Sequence, residues 1–272
     1  MPGYLISPKD LTSLDNHIRV LQKLPEFTRS FKVNLDAVPV REYGAYRIPE
    51  IAELLKQAQQ HVSLWSQTLP AIKTFHKELL VFIEDITQSS ALIENSAGVT
   101  PDFVERTQNG LRSFTDTLDQ HLKTLETLTQ GIYKTLPRIS DFLNNNIYRH
   151  AHTYNLIKKN PDQSIAIQNL TASLSFAETG PALSPQARLK GALYYLQTTR
   201  GQYAEAYCAA SNMNSHLSRV SDLLAFSFSQ SIKMRIKRAA SRPYLELRVM
   251  LVSLKEIQHL SHGLDIQSEQ HT

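Results

Sequence analysis

The chain has 272 residues, of which 42% are hydrophobic and 20% charged, and its formal net charge is +4. This composition excludes a disordered chain, and a single cysteine, Cys208, excludes a disulfide framework. The apolar runs are shorter than the ~18–20 residues of a membrane span, and the first residues, MPGYLISPKD, lack the basic and apolar regions of a secretory signal peptide. We therefore expect a soluble folded protein.

Residues 1–48 are predicted to form short helices and irregular chain that pack on the helices that follow. Ser7–Pro8 matches a helix start in which a serine N-cap precedes a proline in the first turn. The breakers that interrupt this part are Pro2, Pro8, Pro25, Pro39 and Gly44.

A first long helix is predicted from Pro49 to Asn95, because apolar residues recur there at spacings of three and four. Pro70 lies within this helix and is expected to kink or interrupt it. His76 and Ser90 are polar residues on an otherwise mostly apolar stripe. The stripe consists of Ile51, Leu55, Ala58, Val62, Trp65, Leu69, Ile72, His76, Leu79, Ile83, Ile86, Ser90 and Ile93.

A second long helix is predicted to start at Thr100-Pro101-Asp102, where a cap, a proline and an acid follow one another. Its leucine-rich stripe reaches Phe142, and Pro137 is a second candidate kink. We expect residues 49–159 to form two long antiparallel helices.

The helical period lapses at residues 160–185, which we interpret either as a tip segment or as a solvated loop between antiparallel helices. Ser184-Pro185 starts a third long helix, and Arg242-Pro243 ends or bends it. A final apolar helix runs from Tyr244 to about His262, followed by Gly263 as a stop signal.

Together these elements predict an all-α fold, an elongated bundle of about four to five helices. Helices of ~45–55 residues are too long for a compact globular fold, so they are expected to bury their apolar stripes against neighbouring helices along their length. Residues 186–272 supply the returning long helix and the C-terminal helix, and all parts are expected to form one structural domain.

Motifs for catalysis are absent: the chain has no glycine-rich phosphate loop, no HExxH and no GxSxG. His259 and His262 are three residues apart, which suits a metal ligand pair or a solvated helix end. His76 and His121 lie near the apolar stripes, either as core histidines or as a ligand or pH switch. We expect no catalytic residue, cofactor, bound metal or small-molecule substrate.

Basic residues concentrate in the third long helix. Residues 211–250 contain seven bases and two acids, whereas residues 47–131 contain eleven acids and seven bases. One interpretation is an acidic helix that faces a basic helix in the same bundle. The other is a patch for anionic lipid, and nucleic acid ranks below lipid because no aromatic residues for base stacking accompany the bases. The candidate patch consists of Lys233, Arg235, Lys237, Arg238 and Arg242.

Three stretches carry a family resemblance: LISPKDLTSLDNHIRVLQKLP at the N-terminus, WSQTLPAIKTFHKELLVFIEDI from Trp65 to Ile86, and LRVMLVSLKEIQHLSHGL near the C-terminus. They resemble, in turn, the opening short helix, the long helix with a tryptophan and a following proline, and the helix that closes the tail bundle of α-xenorhabdolysin-type toxins. These toxins belong to the cytolysin A superfamily of α-helical pore-forming proteins.

The resemblance implies a subunit of a multi-component cytolysin that is soluble alone and acts at a target membrane with homologous helical subunits. Family members place a hydrophobic element between their two longest helices, but Ile165–Leu183 occupies that position here and is too short and too polar to span a bilayer as one helix. The resemblance therefore implies a partner component and not the main penetrating subunit. Its membrane or partner contacts would be Leu170, Leu174, Phe176 and Leu183.

As a toxin, the protein is expected to leave the cell by a non-classical route; otherwise it is expected to be cytoplasmic. The alternative function is a coiled-coil scaffold or adaptor, including a membrane-surface module of the BAR type, which would use the basic patch.

Overall fold

The computed structural model describes residues 7–36, 48–94, 99–142, 185–237 and 243–265. Within these ranges only Ser7, Val99 and Thr100 lie outside helices, and no residue is in a strand. The prediction of an all-α helical bundle is confirmed. Its five helices in the described ranges are α1 (Pro8–Asp36), α2 (Ile48–Glu94), α3 (Pro101–Phe142), α4 (Pro185–Lys237) and α5 (Pro243–Asp265).

The starts of α1 and α3 follow the predicted capping residues. The Ser7 hydroxyl and backbone N–H both donate to the Asp10 carboxylate, at 2.7 and 2.8 Å, and the Asp10 N–H donates back to Ser7 Oγ at 3.3 Å. The Phe103 N–H donates to Thr100 Oγ1 at 3.2 Å. Each interaction satisfies backbone or side-chain groups that the first helical turn would otherwise leave without a partner.

One helix of 29 residues occupies Pro8–Asp36, where the sequence predicted short helices and irregular chain. The capped start and the buried side chains of Leu11, Leu14 and Leu21 favour a continuous helix. Packing of this stripe outweighs the weak local preference of the β-branched residues nearer its end. Residues 37–47 lie outside the described part of the chain.

None of the three prolines that lie beyond the first turn of a helix, Pro25, Pro70 and Pro137, interrupts that helix. α2 continues through Pro70 and α3 through Pro137, and both side chains are exposed. A proline removes one backbone hydrogen bond, and the helix tolerates this where the flanking stripe is well packed. Leu69 and Ile72, on either side of Pro70, are both buried.

Helix contacts group the chain into two compact units. That all helices form one structural domain stays a prediction from the sequence. Among the described residues, unit 1 contains 7–12, 65–94, 99–129, 208–237 and 243–265. Unit 2 contains 13–36, 48–64, 130–142 and 185–207.

The core of unit 1 follows the predicted stripes. Every predicted position of α2 from Trp65 to Ile93 is buried, including the polar His76 and Ser90. The buried side chains of α3 and α4 include Leu111, Leu118, Leu125, Met213, Leu217, Val220 and Leu224. α5 contributes Leu247, Met250, Leu254 and Ile257. In unit 2, the buried side chains include Leu14, Leu21, Ile132, Tyr203 and Ala206.

Candidate functional site

The four predicted contact residues of the tip lie outside the described residues. They are Leu170, Leu174, Phe176 and Leu183. Their role therefore stays a prediction from the sequence.

The basic patch is described in part. Lys233 and Arg235 lie on α4 and are exposed, whereas Met234 between them is buried. The alternation of basic and apolar residues thus places these two charges at the surface of the helix. Lys237 ends α4, and Arg238 and Arg242 lie outside the described residues.

Other basic residues join neighbouring helices within unit 1. Arg219 of α4 donates to Glu256 of α5 at 2.7 Å, and Arg106 of α3 lies 3.6 Å from Asp85 of α2. All four side chains are about half exposed, so water and salt screen both pairs and neither is expected to contribute much to stability.

A cluster of histidines lies inside unit 1, and we call it the histidine cluster: His76 of α2, His121 of α3 and His216 of α4. The rings of His76 and His216 have centroids 5.2 Å apart, and both residues are almost fully buried. His121 is half-buried and meets Phe75 edge to face at 5.5 Å, while Phe75 also packs on His76.

The cluster has few polar contacts. Ser261 Oγ of α5 forms a hydrogen bond of 3.3 Å with His76 Nδ1. Within the described part of the chain, His76 Nε2 and both ring nitrogens of His216 have no hydrogen-bond partner. Buried polar atoms are nearly always paired, so this concentration of unpaired nitrogens is unusual.

Burial keeps these imidazoles neutral. Burial, then the neighbouring His216 and His121, lower the pKa of His76 from 6.5 to about 3. Burial alone lowers the pKa of His216 to about 4, and it also lowers the pKa of His121. A neutral imidazole offers one hydrogen-bond donor and one acceptor but carries no charge. Because the pKa values of His76 and His216 lie well below 7, both rings are weak bases and poorly suited to proton transfer near neutral pH.

In the ranges that the structure describes, no three residues of the types histidine, cysteine, aspartate and glutamate are placed to hold a metal ion. Cys208 and His259 are exposed, and the side chain of His262 lies outside the described set.

Unit 2 contains a second buried histidine. His17 of α1 meets Tyr203 of α4 edge to face, with ring centroids 4.7 Å apart. Burial, followed by the neighbouring His61, lowers the pKa of His17 to about 4. Burial also raises the pKa of Tyr203. Both side chains are therefore neutral near pH 7.

The sequence predicted His76 and His121 near the core, whereas the burial of His216 and His17 was not predicted. The signal was available, because His216 lies three residues after Met213 and four before Val220. His17 likewise lies three after Leu14 and four before Leu21. Helical spacing thus marks both as stripe positions.

Four exposed apolar residues form two pairs in unit 1. Val81 and Leu92 of α2 are 62% and 71% exposed. Leu245 and Val252 of α5 are 55% and 66% exposed. We call them the α2 pair and the α5 pair.

No known protein family, curated protein or solved structure matches the chain. The resemblance to the cytolysin A superfamily stays a prediction from the three sequence stretches. Of the helices in the described ranges, none combines the length and the hydropathy required to cross a bilayer.

Proposed function

We propose that this protein is one subunit of a multi-component α-helical pore-forming toxin, which meets homologous helical subunits at a target membrane and is not the main penetrating subunit. The three similar sequence stretches support this proposal, as does a bundle whose three longest helices have 42, 47 and 53 residues. The observation that carries it is the exposure of the α2 and α5 pairs, because these residues offer contacts to further helices.

Each pair lies on one side of its helix. Val81 and Leu92 are eleven residues apart, and Leu245 and Val252 are seven apart, which are close to whole numbers of turns. Apolar residues on one face of a helix are the groups through which an amphipathic helix packs on another helix. Homologous helical subunits have the matching chemistry, since their own stripes repeat at the same spacing.

Liposome sedimentation tests the proposal. The purified protein is mixed with anionic and with cholesterol-containing liposomes, alone and together with the products of neighbouring genes, and pelleting and dye release are measured. We expect dye release only when partner subunits are present. Release by the protein alone would contradict a non-penetrating role, and absence of association under every condition would contradict action at a membrane.

Replacing the α2 pair separates subunit contact from stability. Val81→Gln with Leu92→Gln is expected to lower partner-dependent dye release at least tenfold and to leave helicity unchanged, because both side chains are exposed. Phe226→Gln is the matched control, since Phe226 is another exposed large apolar residue outside both pairs. Equal release by the double variant and the control would count against the α2 pair as the contact.

The tip has a separate test. Leu174→Asp with Phe176→Asp is expected to abolish membrane association, because two charges oppose insertion of a short amphipathic element at the interface. If this variant still binds liposomes, the tip is not the segment that contacts the membrane.

A second candidate function, a scaffold with a basic membrane-binding surface, is favoured by the exposure of Lys233 and Arg235. On this view Lys233→Gln with Arg235→Gln lowers binding to anionic vesicles by about 30-fold, at about 1 kcal/mol per base. Lys123→Gln with Lys134→Gln, two exposed bases of α3, is the control. A BAR-type module is a constitutive dimer, so a monomer in sedimentation velocity would argue against that form of scaffold.

A further inference from the structure

The histidine cluster brings basic groups together in the core, and among the described residues no carboxylate contacts them. His76 and His216 come from α2 and α4 and lie with ring centroids 5.2 Å apart, and His121 of α3 acts electrostatically on His76. α5 closes the cluster with the Ser261 hydroxyl, which carries no charge. Among the described residues, the titratable groups that influence the protonation of His76 are therefore other histidines, and no carboxylate is among them.

Among the described side chains of α2 to α5, every carboxylate is exposed except Glu246 of α5, which is buried but lies fifteen residues before Ser261 along the helix. Asp10 of α1 is bonded to Ser7 and accepts from Asn212 Nδ2 at 3.0 Å. The exposed carboxylates near the cluster in sequence are Glu78 of α2, Asp119 of α3, Asp222 of α4 and Glu256 of α5. The exposed bases closest to the cluster in sequence are Lys73 and Lys77 of α2, Lys123 of α3, Arg219 of α4, and Lys255 of α5.

We propose that the histidine cluster is an acid-sensitive switch, in which protonation of the His76–His216 pair opens the packing between α2 and α4 of unit 1. This inference goes beyond the proposed function and does not depend on it, because every group that it uses belongs to this chain.

Protonation has no favourable outcome inside the closed core. A first proton on either ring creates a buried cation that no described carboxylate neutralises. A second proton adds repulsion between two close cations. Separation of α2 from α4 hydrates both imidazolium rings. The same movement exposes the apolar residues that flank them, Leu79 on α2 and Leu217 on α4, both fully buried in the closed state.

The pH window follows from the two pKa values. The unfolded or opened state takes up a proton near pH 6.5, whereas the closed state does so near 3 for His76 and near 4 for His216. Stability of the closed state is therefore independent of these groups above pH 6.5 and falls as the pH drops below it. At pH 5 the equilibrium constant for opening rises about 30-fold per histidine and about 1,000-fold for the pair.

Urea unfolding at pH 7.5 and pH 5 tests the switch on the full chain. In the variant, His76→Gln keeps a bonding group for Ser261, and His216→Leu fills the site with an apolar side chain. We expect the unfolding constant of the natural protein to rise about 1,000-fold more between the two pH values than that of this double variant. His259→Gln, which removes an exposed histidine, is the control and should keep the full pH effect.

An equal pH effect in the natural protein and the double variant would overturn the proposal. If the double variant does not fold, NMR titration of the histidine ring protons in the natural protein decides the matter. We expect the His76 and His216 rings to stay neutral until tertiary packing is lost. Titration of either ring near pH 6.5 in the packed protein would overturn the switch. Neither measurement uses a membrane or a partner, so its result is separate from that of the liposome experiment.

Discussion

Gly110 and Gly201 lie inside long helices but in different surroundings. A Cβ atom on Gly110 would overlap the ring of Phe82, whereas a Cβ atom on Gly201 would meet no atom within 4 Å. The Phe82 ring is partly buried and also packs on Phe114, with centroids 5.1 Å apart, so making room for a Cβ atom would disturb that ring contact. Gly110 therefore permits the close approach of α2 and α3 in unit 1.

Alanine at these two glycines is expected to have opposite effects. Gly110→Ala should lower the free energy of unfolding by up to about 2 kcal/mol, because overpacking costs about 1–3 kcal/mol and the gain in helix propensity offsets about 1 kcal/mol. Gly201→Ala should raise it by about 0.5–1 kcal/mol, since only the propensity changes. Urea denaturation followed by circular dichroism measures both, and a stabilised Gly110→Ala protein would show that Phe82 moves aside freely.

The burial of single residues was predictable where an apolar side chain occupies a stripe position, and it was not predictable where a polar side chain does. Helical spacing placed the buried Leu79, Ile83 and Leu217 correctly on their stripes. The same spacing includes His216, but histidine is intermediate in burial among residue types, so its identity alone does not predict a core position. Its burial against His76 depends on which helices become neighbours, and one-dimensional periodicity does not contain that information.

At the scale of the element, the capping residues fix where α1 and α3 begin. Thr100→Ala is expected to lower the free energy of unfolding by about 1 kcal/mol, because the Phe103 N–H loses its acceptor. Thr127→Ala is the control: this exposed threonine donates to the Lys123 carbonyl in mid-helix, and alanine there should be neutral or slightly stabilising. Equal losses in thermal denaturation of the two variants would contradict a specific capping role.

Helix type and extent were largely predictable, because the stripes of α2, α3 and α4 repeat over many turns. The prolines were harder to interpret. Pro70 and Pro137 lie inside continuous helices, since tertiary packing of a long stripe compensates for one missing backbone bond. The single helix Pro8–Asp36 shows the same effect, with burial of its leucines outweighing local breaker signals. The division into two units had no counterpart in the sequence pattern.

At the scale of the whole molecule, buried histidines make the free energy of unfolding of both units depend on pH. Unit 1 has the His76–His216 pair and unit 2 has His17, whose pKa burial lowers to about 4. In the folded state each of these histidines is neutral, whereas in the unfolded state it takes up a proton near pH 6.5. The free energy of unfolding therefore falls as the pH drops from 6.5 towards the lowered pKa of the folded state. At pH 5 this amounts to about 2 kcal/mol per histidine, compared with the roughly 5–15 kcal/mol that stabilises a typical domain.

Unit 1 is therefore expected to lose its packing at a higher pH than unit 2, since it carries two buried histidines of this kind and unit 2 carries one. Trp65, the chain's single tryptophan, is buried in unit 1, so its fluorescence reports on that unit, whereas far-ultraviolet circular dichroism reports on helices of both. In an acid titration the Trp65 emission should shift to longer wavelength before the helical signal is half lost. His17→Gln should move the later part of the helical transition to lower pH and leave the Trp65 transition in place. If His17→Gln shifts both signals equally, the two units do not respond to acid separately, and the difference in histidine number does not set the order of opening.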